Sequence, residues 1–197
     1  MSKAELRERL RARRQRLDPL HQRRAAQRLA RLVARAAFFR RARRLAFYLP
    51  NDGEIDPTPL LRLAAAAGKE IYLPRLDRRR RLQFARWRPG EPLVRNRYGI
   101  PEPRHGPTTP ATRLDLIFVP TVGFDRSGRR LGMGGGFYDR TFARPRPHRR
   151  PLLVGLAHHF QECAQLPADP WDVGLDLVVT DRGLRRFSPI GRSLPRP

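Results

Sequence analysis

V-P-T-V-G-F-D-R-S-G-R-R-L-G-M-G-G-G-F-Y-D-R, residues 119–140, joins the end of an apolar run to a glycine loop, fixed cations, aromatics and a carboxylate. The run itself, Leu114 to Pro120, is short and almost continuously apolar, as expected of a strand covered on both faces. Gly132, Gly134, Gly135 and Gly136 then follow. Without Cβ atoms these positions permit positive φ and close approach, so that backbone N–H groups can converge on an anion such as phosphate. Phe137 to Arg144 has the look of a helix start, whose unpaired N–H groups favour anionic oxygens. Arg129 and Arg130 add permanent charge just before the loop. Asp139 would repel a phosphate unless a cation lay between them, a conflict that a magnesium ion resolves. The competing reading is a tight turn with Asp139 complementing a helix N-terminus. No G-K-[ST] follows the glycines, which excludes a P-loop.

Outward from this stretch, apolar segments alternate with helical ones. Ser2 and Glu5 form the S-x-x-E of a capping box, with Leu6 and Leu10 one turn apart. Asp18-Pro19 supplies an N-cap and first residue for a second helix through Leu29, Leu32, Val33 and Ala36. The intervening arginines are expected on its solvated face, while Lys3 and Arg7, at i and i+4, share a face from which both can reach a polyphosphate. Leu45 to Leu49 is expected as a buried strand ending in P-N-D-G-E-I-D, which makes Glu54 either a grip for a polar group or an exposed turn carboxylate. Asp56-Pro57 opens a helix that passes through Leu60, Leu61 and Leu63 and stops at Gly68. Ile71 to Leu73 and Leu82 to Trp87 are further strands, separated by a charged turn at Asp77 to Arg81. Tyr98, in a proline-rich loop, either stacks on a planar ligand or packs. Gly106 to Thr112 is expected as linker, Arg144 to Pro151 as an exposed basic turn, and Leu152 to Ala157 and Leu175 to Thr180 as strands. His158-His159 suggests metal or acid–base chemistry, but no third ligand at suitable spacing is evident.

This order predicts an α/β fold with a mainly parallel central sheet, spanning 1–187 with a disordered tail at 188–197. Ligands should then sit at the strands' carboxyl ends, where Glu54, the glycine loop and Gln161 all follow strands. The 197 residues suit one domain. The formal net charge is +24, and Lys3 and Lys69 are the only lysines among its 42 basic residues, which are spread along the chain rather than gathered in a tail. That spread argues against a dedicated nucleic-acid patch, though weak charge-driven binding is expected at low salt. No apolar run exceeds strand length and no signal region precedes the first helix, so a reduced cytoplasm is the expected location, without a membrane. Cys163 is the only cysteine, which excludes an internal disulfide and leaves a structural thiol.

Several blocks in order resemble the 5-formyltetrahydrofolate cyclo-ligase (5,10-methenyltetrahydrofolate synthetase) family: K-A-E-L-R at 3–7, Y-L-P-N-D-G-E-I-D at 48–56, G-K-E-I-Y-L-P-R at 68–75, G-I-P-E-P at 99–103, the 119–140 block and L-P-A-D-P-W-D-V-G-L-D at 166–176. The resemblance implies a three-layer α/β sandwich around a mainly parallel central sheet, and a ligase that uses ATP and magnesium to convert 5-formyltetrahydrofolate, with or without a polyglutamate tail, into 5,10-methenyltetrahydrofolate. It implies ATP contacts from Lys3, Arg7, Arg130, Leu131, Gly132, Met133, Gly134, Gly135, Gly136, Phe137 and Tyr138, with Arg130 and Tyr138 in the chemistry. Leu49, Glu54, Tyr98 and Tyr138 would line the folate site, Asp139 and Asp172 would hold magnesium, and Gln161 would lie nearby. Two departures stand out: Phe137 replaces the first of two tyrosines, and Met133 replaces an aromatic or basic residue. The rivals are a nucleic-acid-binding protein, which its charge suits but no motif supports, and a different phosphate-using enzyme on a similar scaffold.

Overall fold

The computed structural model describes residues 1–143 and 151–187. An eight-stranded sheet forms its centre, in the order β13-β12-β10-β7-β1-β2-β3-β6. Five neighbouring strands run parallel: β12 (Leu177–Val179), β10 (Leu152–Leu156), β7 (Leu116–Pro120), β1 (Arg44–Ala46) and β2 (Glu70–Leu76). Antiparallel strands close both edges: β13 (Leu184–Arg186) on one side, β3 (Leu82–Arg86) and β6 (Thr108–Thr109) on the other.

Alternation within the buried strands divides the core in two, because successive side chains point to opposite faces. Leu45, Phe47, Leu116, Phe118, Val154 and Leu156 face the helices α2 (Pro19–Arg35), α3 (Ala37–Arg41) and α4 (Thr58–Ala66). Ala46, Ile117, Val119 and Leu153 face the opposite way, toward α5 (Phe137–Phe142) and Phe124 of β8 (Gly123–Asp125). Together these give the expected layered α/β arrangement with a mainly parallel sheet.

The helix boundaries follow from local chemistry. Helix α1 (Lys3–Gln15) has both halves of the Ser2/Glu5 capping box, and Asp18 caps α2 by accepting from the amides of Leu20 and His21. The buried stripe of α2 is Ala25, Ala26, Leu29, Ala30 and Val33, whereas Leu32 is exposed, as is Leu63 on α4. Strand β1 is shorter than expected, and the expected linker at 106–112 contributes β6, an edge strand too short for periodicity to reveal. A small sheet, β11 (Glu162–Cys163), β8 and β9 (Arg130–Leu131), and the β4–β5 hairpin (Leu93–Arg95, Pro101–Pro103) were not foreseen. The expected basic turn from Arg144 and the tail at 188–197 lie outside the described residues, and Pro151, where that turn was expected to end, is buried.

The arginines of helix α1 do not all belong to solvent. Leu6 and Leu10 pack with Val122, Leu131 and Leu166, which leaves Lys3, Arg7, Arg11 and Arg14 along the adjoining stripe. Arg14 is 1% exposed and donates to the carboxylate of Asp52 at 2.6 Å and to its carbonyl at 2.8 Å, while Arg11 donates to the same carboxylate at 2.7 Å. These guanidiniums hold the Asp52 carboxyl down at about 2. The clamp fixes the loop after β1, where Asp52 itself sits at φ 53°, to α1. Asp52→Ala strands a buried guanidinium, so a loss on the order of 3 kcal/mol is expected from urea unfolding at pH 7. The folded-state pKa is depressed, so the carboxylate's contribution is complete above the unfolded value near 3.8 and disappears as the pH falls through about 2.

Candidate active site

In sequence β1 leads to β2 on one side, and the chain later returns to place β7 on the other. The order of strands therefore reverses between β1 and β7, and a crevice opens beyond the carboxyl ends of such strands. A cleft of about 760 Å³ lies there, lined by Tyr48 and Leu49 after β1, Pro120 at the end of β7, the glycine loop, and Lys3 and Arg7 from α1. Glu54, Tyr98, Arg130, Tyr138, Asp139 and Asp172 also line it, so the stretches singled out above meet in one place.

The glycine loop turns as its composition demands. Gly134 and Gly136 adopt φ values of +97° and +62°, a region that costs any residue with a Cβ. Arg7 donates from Nε to the Gly132 carbonyl at 2.8 Å, tying α1 to the loop. Arg130 has only 5% of its side chain exposed and donates from Nη2 to Asp139 Oδ1 at 2.6 Å. Its guanidinium carbon lies 5.6 Å from the Tyr138 ring centroid, and its buried Nε has no partner among the described residues. An orphaned donor at this position is a ready contact for an anionic oxygen. Arg129 does not line the cleft.

The two carboxylates are arranged alike. Asp139 accepts from Arg130 and from the Val173 amide at 3.0 Å, both through Oδ1. Asp172 accepts from Lys3 at 2.5 Å and from the Asp169 amide at 2.8 Å, both through Oδ2. Each carboxylate keeps a second oxygen outside these bonds. The Val173 amide belongs to the peptide bond after Asp172, so Asp139 is held directly beside the other acid. Among the described residues no group of three or more His, Cys, Asp or Glu could hold a metal alone. One or two carboxylates completed by phosphate oxygens and water suit magnesium, which rarely uses an all-protein cage.

The cleft also has an aromatic wall. Tyr98 and Phe137 meet edge to face with centroids 5.4 Å apart, while Arg80 and Arg140 lie 5.9 and 5.5 Å from the Phe137 ring centroid. Loss of a hydroxyl at Phe137 therefore leaves the ring serving as a wall. Tyr48 donates to the Ile55 carbonyl at 2.6 Å and braces the loop that carries Glu54. Desolvation raises the Glu54 carboxyl to about 7, even though Arg14 and the Asn51 amide oppose the shift. Burial, followed by the charge of Glu54, pushes the Tyr138 phenol well above its usual value, so it remains a neutral hydroxyl.

One expectation changes. Gln161 is buried and lies outside the cleft: its amide donates to the carbonyls of Thr121 and Val122 at 2.6 and 2.8 Å, and its oxygen accepts from the His158 amide at 2.7 Å. It anchors the turn after β10 to the end of β7. Met133 does line the cleft, exposed at its rim, where its sulfur accepts from Arg14 at 3.7 Å. Trp171, 67% exposed on the lip beside Asp172, was missed, as was the cleft-lining role of Arg80 and Arg140. The D-P-W-D spelling offered the only signal for Trp171.

A cleft at the switch point of a parallel sheet, lined by a glycine loop, guanidiniums and an aromatic wall, is that of an α/β enzyme with a place for an anionic substrate. Residues 1–181 match the 5-formyltetrahydrofolate cyclo-ligase family. The Escherichia coli 5-formyltetrahydrofolate cyclo-ligase is 39% identical over 175 residues, 87% of this chain and 96% of that protein. The mouse 5-formyltetrahydrofolate cyclo-ligase is 28% identical over 90% of each chain. The NMR structure of Aquifex aeolicus 5,10-methenyltetrahydrofolate synthetase superposes with a TM-score of 0.84 at 34% identity, covering 100% of this chain and 97% of that one. The chain thus belongs to the 5-formyltetrahydrofolate cyclo-ligase family and is a ligase. No helix among the described residues is long and apolar enough to cross a membrane.

Proposed function

We propose that this enzyme converts 5-formyltetrahydrofolate to 5,10-methenyltetrahydrofolate with ATP and magnesium, releasing ADP and phosphate in the cytoplasm. The observation that carries the proposal is the single cleft in which the glycine loop, Arg130 and two half-engaged carboxylates adjoin the aromatic wall and Glu54. A formamide oxygen is a poor leaving group. Transfer of the γ-phosphoryl to that oxygen breaks its bond to ADP and activates the formyl carbon. The folate N10 then attacks this carbon, and departure of phosphate leaves the cyclic amidinium. The protein's share is positioning and neutralisation of charge.

In this reading the segment from Arg130 to Tyr138 wraps the triphosphate, with Lys3 and Arg7 reaching it from α1. Arg130 opposes the charge that builds on the transferring group. Asp139 and Asp172 offer their second oxygens to magnesium, which would neutralise the phosphates. Tyr138 directs its hydroxyl at the reacting groups, and Leu49 and Tyr98 flank the folate rings. Glu54 accepts hydrogen bonds from the pterin.

Glu54→Gln is expected to raise KM for the folate at least tenfold and leave KM for ATP within about twofold. An effect confined to ATP would misplace Glu54. The same variant tests its pKa. A carboxyl raised to about 7 on folding binds extra protons in the native state, so stability falls as the pH rises from the unfolded value near 4.5 through 7. Glutamine removes that decline, and its melting temperature should exceed wild type at pH 8 but not at pH 4.

Both substrates are anionic, and the chain carries +24. Steering by that field predicts a substrate on-rate that falls with ionic strength, and an on-rate insensitive to salt would remove the role. Any RNA or DNA binding should vanish with modest salt.

The deciding experiment follows the methenyl-folate absorbance band after mixing protein, 5-formyltetrahydrofolate, ATP and magnesium, omitting each in turn. A rise that requires all of them supports the proposal. No rise from folded protein would transfer the cleft to another phosphate-using reaction.

A further inference from the structure

A second crevice, of about 900 Å³, lies beyond the carboxyl ends of β10 and β12, where His158-His159 and Asp181-Arg182 leave the sheet. None of its lining residues belongs to the cleft described above. Arg13, Arg126, Arg182 and Arg185 line it, against the carboxylates Glu162 and Asp181, so fixed cations outnumber anions there. Glu162 is already matched by Arg126 at 3.2 Å and by Arg185 at 2.8 Å, and Asp181 accepts from the His159 amide at 2.8 Å. Arg182 has no side-chain ion pair among the described residues, and Arg13 lies 4.4 Å from the Phe160 ring centroid.

The wall also contains a buried polar group that the fold leaves unused. His158 is 1% exposed, and both its ring nitrogens lack hydrogen-bond partners among the described residues. Its ring stacks on Phe160 at 5.6 Å and lies 6.3 Å from that of His21. Burial, with smaller effects from His21 and Arg14, lowers it to about 4 despite Asp181, so the ring is neutral near pH 7. A neutral imidazole presents one donor and one acceptor, and leaving both buried and unmet is costly. Hydrogen phosphate and phosphate monoesters carry acceptor oxygens, and the protonated forms add an O–H donor. A guanidinium cluster supplies the charge-assisted bonds that hold such groups.

From the crevice, its excess of guanidiniums and the orphaned imidazole, we infer that the carboxyl ends of β10 and β12 form a second phosphate-group site, separate from the catalytic cleft and built from His158, Arg13, Arg126 and Arg182. It goes beyond the cyclo-ligase activity and does not depend on it.

The test observes the histidine rings in long-range proton–nitrogen spectra of the whole protein at pH 7.5 during titration with sodium phosphate, against sodium chloride at matched ionic strength. The expected result is a saturable shift of His158 that chloride does not reproduce and that persists in Arg130→Ala, where the catalytic cleft is impaired. Arg126→Ala/Arg182→Ala should weaken the response at least tenfold with cyclo-ligase turnover unchanged. Both arginines are exposed, so this variant should fold. Tighter binding of AMP than of inorganic phosphate would identify a nucleotide monoester as the occupant, and equal binding the bare phosphate group. No saturable shift, an equal effect of chloride, or wild-type affinity in the double variant would each overturn the site. So would binding of RNA without any response to inorganic phosphate.

Discussion

Arg130→Ala is expected to lower kcat/KM for ATP about a thousandfold, the scale of losing a guanidinium from phosphoryl-transfer chemistry. The size follows from what Arg130 does at once. Its Nη2 holds Asp139 at 2.6 Å, its plane approaches the Tyr138 ring, and its orphaned Nε is available to an oxygen in the cleft. Stability should fall much less, since the pair to Asp139 is replaced by a cavity open to water at one side. Arg130→Lys should restore little activity, because an ammonium cannot bridge a carboxylate and a phosphate through a planar fork. Steady-state kinetics with ATP varied at saturating folate provide the measurement. An unchanged ATP dependence would remove Arg130 from the triphosphate.

Asp139→Asn is expected to lower turnover about a hundredfold or more and to raise the magnesium concentration needed for half-maximal rate. Asparagine keeps an oxygen for the Val173 amide but gives up the charge facing Arg130, so a moderate loss of stability should accompany the kinetic one. The two effects separate by magnesium titration: a folding defect lowers the rate equally at all concentrations, whereas a ligand defect is partly overcome at high magnesium. Near-normal kinetics at limiting magnesium would exclude Asp139 from the metal. The proximity of Asp139 to the peptide after Asp172 predicts the same signature for Asp172→Asn.

Much of the site was legible because glycines, carboxylates and arginines in a fixed order carry chemistry on their face. Gly134 and Gly136 adopt the positive φ that only their composition allows cheaply, and Lys3 and Arg7 reach the cleft from one helical stripe as their spacing requires. Gln161 misled: a glutamine after a strand resembles a site residue, yet here both ends of its amide are consumed in fastening two turns. Arg14 gave no signal at all. Its neighbours in sequence are exposed arginines, and nothing within the helix distinguishes it from them.

The sequence by itself determined what depends on near neighbours. The caps at Ser2 and Asp18, the stop at Gly68, the short continuous apolar strands and the turn-forming glycines are set within a few residues, and each appears in the structure as its chemistry requires. Tertiary structure alone decided which distant groups meet. Arg14 reaches Asp52 across 38 positions and Lys3 reaches Asp172 across 169, and the order of the strands that opens the cleft between β1 and β7 is likewise a matter of packing. The raised carboxyl of Glu54 has the same origin, since desolvation is a property of what surrounds a group in space. Local conformation is governed by sterics and hydrogen bonds that a few residues contain, while charge pairing and dielectric belong to the assembled core.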